Sequence, residues 1–373
     1  MSQQDEKYMR MALKLARRGI GSVEPNPAVG CVIVKQGQVI GKGWHRKFAG
    51  PHAEINALQD CKSHGRSAKA ATMYVTLEPC CHRGKTPPCT DAIIEAGLSK
   101  VVIAMIDPSA HAAGRGIEQL RQDRIEVETG LCRPDAELLN APFIKFATTG
   151  RPWVILKWAQ TIDGKMAWAD KAAENRWLSN EKSRADAHKL RRRAGAILVG
   201  IETVLADDPL LTPRPARGKK PLRVVLDNHL RIPLDCRLLA TAKKAPVLIL
   251  TSNQAVQTNP RKTEQITQKG AEVLEYTDTQ GNSNLNFLIE QLAKRSIAQL
   301  LIEGGPRVIT SFLKEHLADE ICIYNAPKLL CAAGAVDISL PKAGLTESND
   351  LHHVDIKPLG DNVRLTGLLK KFD

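Results

Sequence analysis

Two short segments in the first half of the 373-residue chain carry side chains that bind metals and transfer protons. PHAEINAL supplies His52 and Glu54, and TLEPCCHRGKTPPC supplies Cys80 and Cys89. One imidazole and two thiolates are good zinc ligands, and three protein ligands leave a fourth position for water, which is typical of catalytic zinc. Zinc lowers the pKa of such a water towards neutrality. Glu54 is then the candidate that takes the proton of the water and delivers it to a leaving group.

The order of these residues matches the signature of zinc enzymes that deaminate nucleobases, in which His-x-Glu precedes Pro-Cys-x-x-Cys. The HAE and PC parts are present, but eight residues rather than two separate Cys80 from Cys89. Two other interpretations of the cysteines remain open: a structural zinc knot, or thiols buried as small apolar side chains. Cys81 is a weaker alternative to Cys80 as a ligand. Three nearby histidines are expected at the surface or in the core, namely His45, His64 and His82.

The spacing of His52 and Glu54 restricts where the metal can lie. Residues two apart do not share a helix face, so both reach one metal only at a helix N-terminus, where Pro51 suits the first turn. The surrounding sequence alternates strands and helices, which predicts an α/β domain with a covered sheet. The predicted elements are a helix at 5–18, hairpin strands at 30–34 and 38–43, a helix from His52, a strand at 71–77, a helix at 90–96 and a strand at 100–105.

A second series of elements follows the segment GLCRPDAELLNAPFIKFATTG at 130–150, which indicates a domain junction. The expected domains are 1–147 and 148–373. The stretch 207–221 is rich in Pro, Arg and Lys and is expected to be a long surface loop, where functional residues are common. Apolar runs predict strands at 153–158, 196–199, 222–226, 246–250, 271–274, 299–302 and 320–324, helices at 180–193, 284–295 and 306–315, and an antiparallel strand pair around 359–362.

The second half has no G-x-G-x-x-G segment, so a classical dinucleotide-binding fold is not indicated. It does contain LLIEGGPRVITSFL at 300–313, which predicts a strand, two glycines and the start of a helix. A helix N-terminus approached through glycine backbone is a ready anion site. A plain strand–turn–helix connection is the alternative for this segment.

The charge and composition restrict the class of protein. The net charge of +13 favours an anionic partner, such as nucleic acid, a membrane surface or a phosphorylated small molecule. Aromatic residues make up 4% of the chain, which is few for a protein that stacks many bases. The odd number of cysteines does not indicate a disulfide framework. No apolar run reaches the length of a membrane helix and the charged N-terminus lacks a signal-peptide core, so we expect a cytoplasmic protein without a membrane partner.

Three longer strings carry a family resemblance. PNPAVGCVIVKQGQVIGKGWH, PHAE and VTLEPCCHRGKTPPC occur in this order, and together they resemble the pyrimidine deaminases of the bifunctional deaminase–reductase family of riboflavin biosynthesis. The long interval between the cysteines is a mark of that family. The resemblance implies a cytidine-deaminase-like α/β/α fold, one zinc ion held by His52, Cys80 and Cys89, and Glu54 as the proton shuttle. It also implies that Asn26 contacts the substrate base, whereas the residues alone equally indicate a turn between two prolines.

The second half resembles the reductase partner of the same family. LKWAQTIDGKMA, ENRWLSN, GIETVLADDPLLTPR and IEGGP occur in that order, so the resemblance covers nearly the whole chain. It implies a dihydrofolate-reductase-like α/β fold, NADPH as cofactor, a phosphorylated pyrimidine ribotide as substrate and a homo-oligomer. The NADPH-binding residues implied are Ala159, Trp177, Thr203, Asp207, Asn228, Gly305, Pro306, Arg307, Val308, Ile309, Thr310 and Ser311. The substrate-binding residues implied in this half are Asn175, Arg191, Leu211, Arg214 and Glu303.

Several of these residue types also suit purely structural positions. A phosphorylated substrate favours arginine, whose planar group binds phosphate oxygens in pairs, but 191–193 is also compatible with a solvated helix face. Trp177 is also suited to a core position, and Asp207 and Asp208 to a turn before Pro209. Asn175 stands where serine is common in the family, and Asn228 does so too.

We expect a bifunctional enzyme. Zinc-dependent hydrolysis would remove an amino group from 2,5-diamino-6-ribosylamino-4(3H)-pyrimidinone 5′-phosphate, and NADPH would reduce the ribose to a ribityl chain. The main alternative is a zinc-dependent deaminase of transfer RNA with an accessory C-terminal domain, because the basic charge and the HAE and PC segments would also serve it. The interval between the cysteines and the scarcity of aromatics argue against a nucleic-acid partner. A non-enzymatic, zinc-stabilised binding protein is a further alternative, in which Glu54 transfers no proton.

Overall fold

The structure is a computed structural model that describes residues 2–82, 87–109, 112–167, 177–215, 220–277, 284–331, 335–337 and 350–371. The chain divides into two compact units, unit 1 at Met1–Gly150 and unit 2 at Arg151–Asp373. Both units are α/β, as the alternation of strands and helices predicts. The expected boundary between 147 and 148 falls within a helix, and the division between the units follows that helix.

Unit 1 is built on one mixed sheet. Its described strands are β1 (Gly30–Lys35), β2 (Gln38–Trp44), β3 (Thr72–Val75), β4 (Lys100–Ile103) and β5 (Glu126–Thr129). They lie in the order β2-β1-β3-β4-β5. β1 and β2 form an antiparallel hairpin, β3 runs antiparallel to β1, and β3, β4 and β5 are parallel. The carboxyl ends of the last three strands therefore lie at one edge of the sheet.

Helices pack on this sheet through faces with apolar residues three and four positions apart. In the first helix Met9, Ala12 and Ala16 are fully buried, and the helix lies so close to β1 that only a glycine fits at Gly30. A capping box at the N-terminus of the same helix satisfies backbone N–H groups that have no partner within it. The described helices of unit 1 are α1 (Gln3–Ala16), α2 (Ala53–Ser63), α3 (Cys89–Glu95), α4 (Arg115–Gln122), α5 (Arg133–Leu139) and α6 (Ala141–Thr149).

Unit 2 is built on a larger sheet. Its described strands are β6 (Trp153–Thr161), β7 (Lys165–Ala167), β8 (Ala196–Gly200), β9 (Leu222–Leu226), β10 (Val247–Ser252), β11 (Glu272–Tyr276), β12 (Gln299–Ile302), β13 (Glu320–Ala326), β14 (Val336–Asp337), β15 (His352–Leu359) and β16 (Asn362–Leu368). The main sheet has the order β11-β10-β9-β8-β12-β6-β13-β16-β15, and β7 pairs with β14. The strands from β11 to β13 are parallel, and β16 runs antiparallel to both neighbours.

The central strands of unit 2 are buried on both faces. β8, β9 and β12 are short apolar runs, which is typical of parallel strands covered by helices. In open parallel sheets, ligands bind beyond the carboxyl ends of the strands. No helix in the described part of the chain is long and apolar enough to cross a membrane. The described helices of unit 2 are α7 (Glu181–Arg193), α8 (Ile201–Asp207), α9 (Arg237–Ala240), α10 (Asn253–Thr258), α11 (Pro260–Gln268), α12 (Leu285–Lys294) and α13 (Pro306–Lys314).

The predicted strands are all present, with shifted ends, and β9 and β12 have the predicted bounds. The predicted C-terminal strand pair is present as β15 and β16. The stretch 130–150, expected to be a domain junction, forms α5 and α6, and unit 1 ends at its last residue, Gly150. Eight shorter elements were not predicted, namely β5, β7, β14, α4 and α8 to α11. These elements are short, and α4, for example, buries only two large apolar side chains, Ile117 and Leu120.

Gly30→Ala is expected to destabilise unit 1. The added carbon would lie 2.0 Å from the carbonyl oxygen of Ala12, which is the backbone of a packed helix. Overpacking of this kind costs about 1–3 kcal/mol or more. Thermal unfolding followed by circular dichroism should therefore show a lower Tm. Gly37→Asn is the control, because nothing lies within 4 Å of the added carbon and asparagine tolerates the positive φ there. An equal loss of Tm in both variants would contradict overpacking as the cause.

Candidate active sites

The two metal-binding segments of unit 1 meet at the N-termini of two helices. His52 is the N-cap residue of α2, Cys89 is the first residue of α3, and Cys80 lies in the loop after β3. Nδ1 of His52 is 3.3 Å from Sγ of Cys89 and 3.5 Å from Sγ of Cys80. The three ligand atoms all lie within 4.8 Å of one another. Among the described residues, no other three His, Cys, Asp or Glu side chains group in this way.

These separations fit a zinc ion. Zn–N bonds of about 2.0 Å and Zn–S bonds of about 2.3 Å in a tetrahedron place the ligand atoms roughly 3.5 Å apart. Hydrogen bonds from Cys89 and His52 hold the pKa of Cys80 well below the usual thiol range, although burial opposes this. The thiolate is the form of cysteine that binds metals. The donor set and its geometry therefore suit one zinc ion with three protein ligands.

Glu54 lies in the first turn of α2, and its side chain is buried. Burial raises the pKa of this carboxyl above its usual range, although the nearby His52 opposes the shift. The interaction with the thiol of Cys89 opposes the rise in the pKa of Glu54 as well. Because His52 is the N-cap residue of α2, the two side chains reach the same place, as the sequence argument requires. A carboxyl in this position is suited to taking up and releasing a proton.

The buried His45 connects Asn26 to the ligand cluster. The sequence left undecided whether this histidine lies at the surface or in the core. Nδ2 of Asn26 is 3.4 Å from Nε2 of His45, and Nδ1 of His45 is 3.1 Å from the carbonyl oxygen of Pro51. The rings of His45 and His52 meet edge to face, with their centroids 5.4 Å apart. Burial lowers the pKa of His45. His45 is therefore a core histidine beside the candidate site, and its position at the end of the string GKGWH was the available signal.

Glu78 holds the loop that carries Cys80, and the sequence analysis missed it. The residue is 5% exposed. Its carboxylate accepts hydrogen bonds from the backbone N–H groups of Asp107, Gly114, Gly116 and Ile117. The last three lie at the start of α4, where the helix dipole favours a negative charge. A charged residue directly after an apolar strand, in TLEPC, was the signal.

The other histidines and cysteines near these segments lie outside the cluster. His64 hydrogen-bonds to the carbonyl oxygen of Asp60 at the surface, and His82 is exposed. Cys81 is half-buried and is not part of the group that contains Cys80. All nine cysteines of the chain are unpaired.

A buried carboxylate surrounded by cations stands out in unit 2. Glu303 follows β12 and accepts hydrogen bonds from Nε and Nη2 of Arg191 on α7. Nζ of Lys157 on β6 is 4.0 Å from Oε1 of Glu303. Burial alone would raise the pKa of Glu303, but Arg191 and Lys157 outweigh it and lower the pKa. Burial, together with the charges of Arg191 and Arg214, lowers the pKa of the neighbouring His188.

This cluster changes the interpretation of the arginines on α7. The interpretation of 191–193 as a solvated helix face was wrong for two of the arginines. Arg191 pairs with Glu303, and Nη2 of Arg193 is 2.9 Å from Oε2 of Glu320. Arg191 and Glu303, both implied as substrate residues, are hydrogen-bonded to each other. Lys157 and His188 were missed. A single cation in the apolar run WVILKW was the signal for Lys157.

The ADDP segment ends α8 and forms the predicted turn. Asp207 is the last residue of the helix. Asp208 has a left-handed backbone, with φ 38°, and its Oδ1 accepts the N–H of Arg237 at the start of α9. The fully buried Arg223 donates to the carbonyl oxygen of Leu210 and ties the segment to β9.

Most of the implied NADPH-binding residues lie at or just after the carboxyl ends of neighbouring parallel strands. Trp177 is 59% exposed, so the alternative of a core position for it was wrong. The guanidinium of Arg184 lies over its ring, 5.2 Å from the ring centroid. Gly305 is the N-cap residue of α13. Leu211 is buried and Arg214 is exposed, while Asn175 lies outside the described residues. The strand-end positions are Ala159 on β6, Thr203 after β8, Asn228 after β9, and Gly305, Pro306, Arg307, Val308, Ile309, Thr310 and Ser311 after β12.

Comparison with protein families agrees with these two units. Residues 2–105 match the zinc-binding region of cytidine and deoxycytidylate deaminases, and residues 152–363 match the RibD C-terminal domain. Fold and sites together define a bifunctional enzyme in which a zinc-binding, cytidine-deaminase-like domain is joined to a dihydrofolate-reductase-like reductase domain of the NADPH-dependent type.

Relatives resemble the chain over nearly its whole length. It is 44% identical over 327 residues to riboflavin biosynthesis protein RibD of Aquifex aeolicus, covering 87% of this chain and 88% of the relative. It is 38% identical over 379 residues to RibD of Escherichia coli (strain K12), covering 97% and 98%. The chain belongs to the riboflavin biosynthesis protein RibD family, which confirms the expected family, the two folds and the two enzyme classes.

Solved structures give the same result. RibD of Acinetobacter baumannii superimposes with a TM-score of 0.84 at 36% identity, covering 98% of both chains. A protein of Thermotoga maritima superimposes with a TM-score of 0.79 at 34% identity, covering 97% of this chain and 98% of that chain. The latter is described as a diaminohydroxyphosphoribosylaminopyrimidine deaminase and 5-amino-6-(5-phosphoribosylamino)uracil reductase.

Glu303→Gln is expected to destabilise unit 2 by about 3 kcal/mol at neutral pH, because Arg191 and Lys157 lose a buried counter-charge. The pKa of Glu303 is lowered in the folded protein. Such a carboxyl stabilises the protein fully at pH values above its pKa in the unfolded chain, and this stabilisation is lost as the pH falls through its pKa in the folded protein. The difference between wild type and variant in urea denaturation should therefore shrink below about pH 4.3. Glu275→Gln, at an exposed position of β11, is the control. A difference that does not change with pH would contradict the role of the charge.

Proposed function

We propose that this chain catalyses two consecutive steps of riboflavin biosynthesis. The deaminase domain hydrolyses an amino group from 2,5-diamino-6-ribosylamino-4(3H)-pyrimidinone 5′-phosphate. The reductase domain then converts the ribose to a ribityl chain, giving 5-amino-6-(5-phospho-D-ribitylamino)uracil. The observation that carries the proposal is the grouping of His52, Cys80 and Cys89 beside the buried Glu54, in a chain that belongs to the RibD family.

In the deaminase domain, His52, Cys80 and Cys89 are the proposed zinc ligands. Zinc, when bound there, supplies an activated water as the nucleophile. Glu54 is the proposed proton shuttle, because its buried carboxyl adjoins Cys89 and its pKa is raised by burial. A carboxylate oxygen of Glu54 takes the proton of the water and returns it to the departing amine, which leaves as ammonia.

Asn26 is the proposed contact to the pyrimidine. Its carboxamide presents both a donor and an acceptor, which suits the amidine and carbonyl groups of the base. His45, 3.4 Å away, supports this arrangement. Because burial lowers the pKa of His45, its ring is neutral at physiological pH and offers one donor and one acceptor.

In the reductase domain, NADPH supplies the hydride that the ribose C1′ receives. The backbone at Gly305–Ser311 is proposed to bind the pyrophosphate, because the N-terminus of α13 favours an anion. The exposed ring of Trp177 offers a flat apolar surface to the cofactor. The other proposed contacts are Ala159 near the end of β6, Thr203 and Asp207 in α8, which follows β8, and Asn228 after β9.

The cluster around Glu303 is the proposed substrate site of the reductase. Arg191 and Arg214 offer guanidinium groups that suit the phosphate of the ribotide. Glu303, oriented by Arg191, offers carboxylate oxygens to sugar hydroxyl groups. Lys157 adds a further positive charge within 4.0 Å of this carboxylate. Leu211 and Asn175 complete the proposed substrate set.

We further propose a cytoplasmic homo-oligomer that acts on a small phosphorylated substrate and on no nucleic acid. Nine unpaired cysteines are compatible with a reducing compartment. The low aromatic content of 4% supports a small substrate over a stacked nucleic acid. The homo-oligomer is supported by the family resemblance alone.

The direct test is mass spectrometry of the products formed when zinc-loaded protein is incubated with the diaminopyrimidine ribotide. With NADPH present, we expect a product that has exchanged an amino group for oxygen and gained two hydrogens at the sugar. Without NADPH, only the deaminated compound should accumulate. Unchanged substrate, with bound zinc verified, would contradict the substrate assignment, and deamination of transfer RNA would then be assayed.

Glu54→Gln is expected to keep zinc and to lose deamination by about 10²- to 10⁴-fold, because the amide cannot carry the proton. Zinc is measured by elemental analysis and deamination by release of ammonia. Reduction of the deaminated compound should be unaffected. Glu95→Gln, at an exposed position of α3, is the matched control. Wild-type deamination rates in Glu54→Gln would rule out the proton-shuttle role.

A further inference from the structure

A buried asparagine near the end of unit 1 holds the loop that carries Asn26. Asn140 lies between α5 and α6, 112 residues from Ala28 in sequence. Its Oδ1 accepts the N–H of Ala28 at 2.8 Å, and its Nδ2 donates to the carbonyl oxygen of Ala28 at 3.1 Å. Asn140 is 3% exposed and Ala28 is 5% exposed. One side chain therefore satisfies both backbone polar groups of one buried residue.

The backbone of Asn140 is itself fixed on both sides. Its N–H donates to carbonyl oxygens of Ala136 and Glu137 in α5, and its carbonyl oxygen accepts the N–H of Ile144 in α6. Withdrawing the amide would leave the buried polar groups of Ala28 without partners, which is costly. The two hydrogen bonds thus form a rigid clamp on Ala28.

Ala28 is two residues from Asn26, whose own backbone N–H donates to the carbonyl oxygen of Val23 at 2.9 Å. Pro27 has no N–H to donate. On the other side of Ala28, the carbonyl oxygen of Val29 accepts the N–H of His45 at 2.9 Å. The ring of the same His45 meets the carboxamide of Asn26. The clamp on Ala28 therefore fixes the chain on one side of Asn26, as the bond to Val23 does on the other, and both determine where Asn26 lies relative to His45.

We propose that Asn140 is a positioning residue for deamination and acts through Asn26. The inference rests on the proposed function, in which Asn26 contacts the pyrimidine. Asn140 lies outside the residues, 2–105, that match the zinc-binding region of deaminases. The segment that leads to unit 2 therefore supplies part of the deaminase site as well as connecting the units.

A clamp that only stabilises the fold and a clamp that positions Asn26 have different consequences. Both lower stability when they are removed. Only positioning makes the effects of Asn140 and Asn26 on catalysis depend on each other, because residues that act as a unit have non-additive effects. A double-mutant cycle on the full-length, zinc-loaded protein separates the two cases.

Asn140→Ala is expected to lower kcat/KM for deamination of the ribotide about tenfold, mainly through KM, because two buried hydrogen bonds are lost. Zinc content and the kcat/KM of reduction should not change. In an Asn26→Ala background, the same substitution should lower kcat/KM less than about twofold further. Asn140→Asp keeps the acceptor for the N–H of Ala28 and loses the donor, and it replaces Asn140→Ala in the cycle if the alanine variant does not fold.

Asn259→Ala is the matched control. Asn259 also joins two helices, α10 and α11, but the bonds of its side chain to described residues go to Ala255 and Thr258, which are close in sequence. Its deamination kinetics should equal those of wild type. Full multiplicative effects of the Asn140 and Asn26 substitutions, or loss of zinc from both Asn140 variants, would overturn the proposal. No deamination by zinc-loaded wild type would instead overturn the proposed function, and this inference with it.

Discussion

The deaminase domain depends on bringing four ionisable groups together at one place, where Glu54 and Cys89 are buried and His52 and Cys80 are half-buried. The groups are an imidazole, two thiols and the carboxyl of Glu54. Where water is excluded, the negative charges of the thiolates and the carboxylate repel each other strongly unless a cation compensates them. Such groups stay together only when the backbone under them is rigid. The structure meets this requirement by placing His52 and Cys89 at helix starts and by tying the loop of Cys80 to α4 through Glu78.

The reductase domain also groups charged side chains in its interior, but there the excess charge is positive. One buried carboxylate, Glu303, stands among Arg191, Lys157 and His188, and the positive charge exceeds the negative. The arrangement keeps a carboxylate ionised in the interior and leaves its surroundings net positive, which suits the anionic substrate proposed for this site. In both domains the key loops follow carboxyl ends of strands, after β3 in one and after β12 in the other, where a sheet leaves backbone free to meet a ligand.

Residues that touch no substrate in the proposed mechanism do much of the positioning. Glu78, Asn140 and Arg223 are buried polar side chains, and each bonds to backbone groups that are distant in sequence. Burial makes these hydrogen bonds costly to break, because a lost partner leaves a polar group without water. These hydrogen bonds therefore tie irregular loops to the elements that pack beside them.

The sequence by itself determined most of the strands, the candidate metal-ligand set and the family. Apolar runs and ligand types are local properties, so β9 and β12 were predicted with their observed bounds. Short helices with few buried side chains, such as α4, left too weak a pattern. Only the tertiary structure decided that Arg191 pairs with Glu303 and that Asn140 clamps Ala28. A contact between residues more than a hundred positions apart depends on how the elements pack, and packing leaves no periodic mark in either segment.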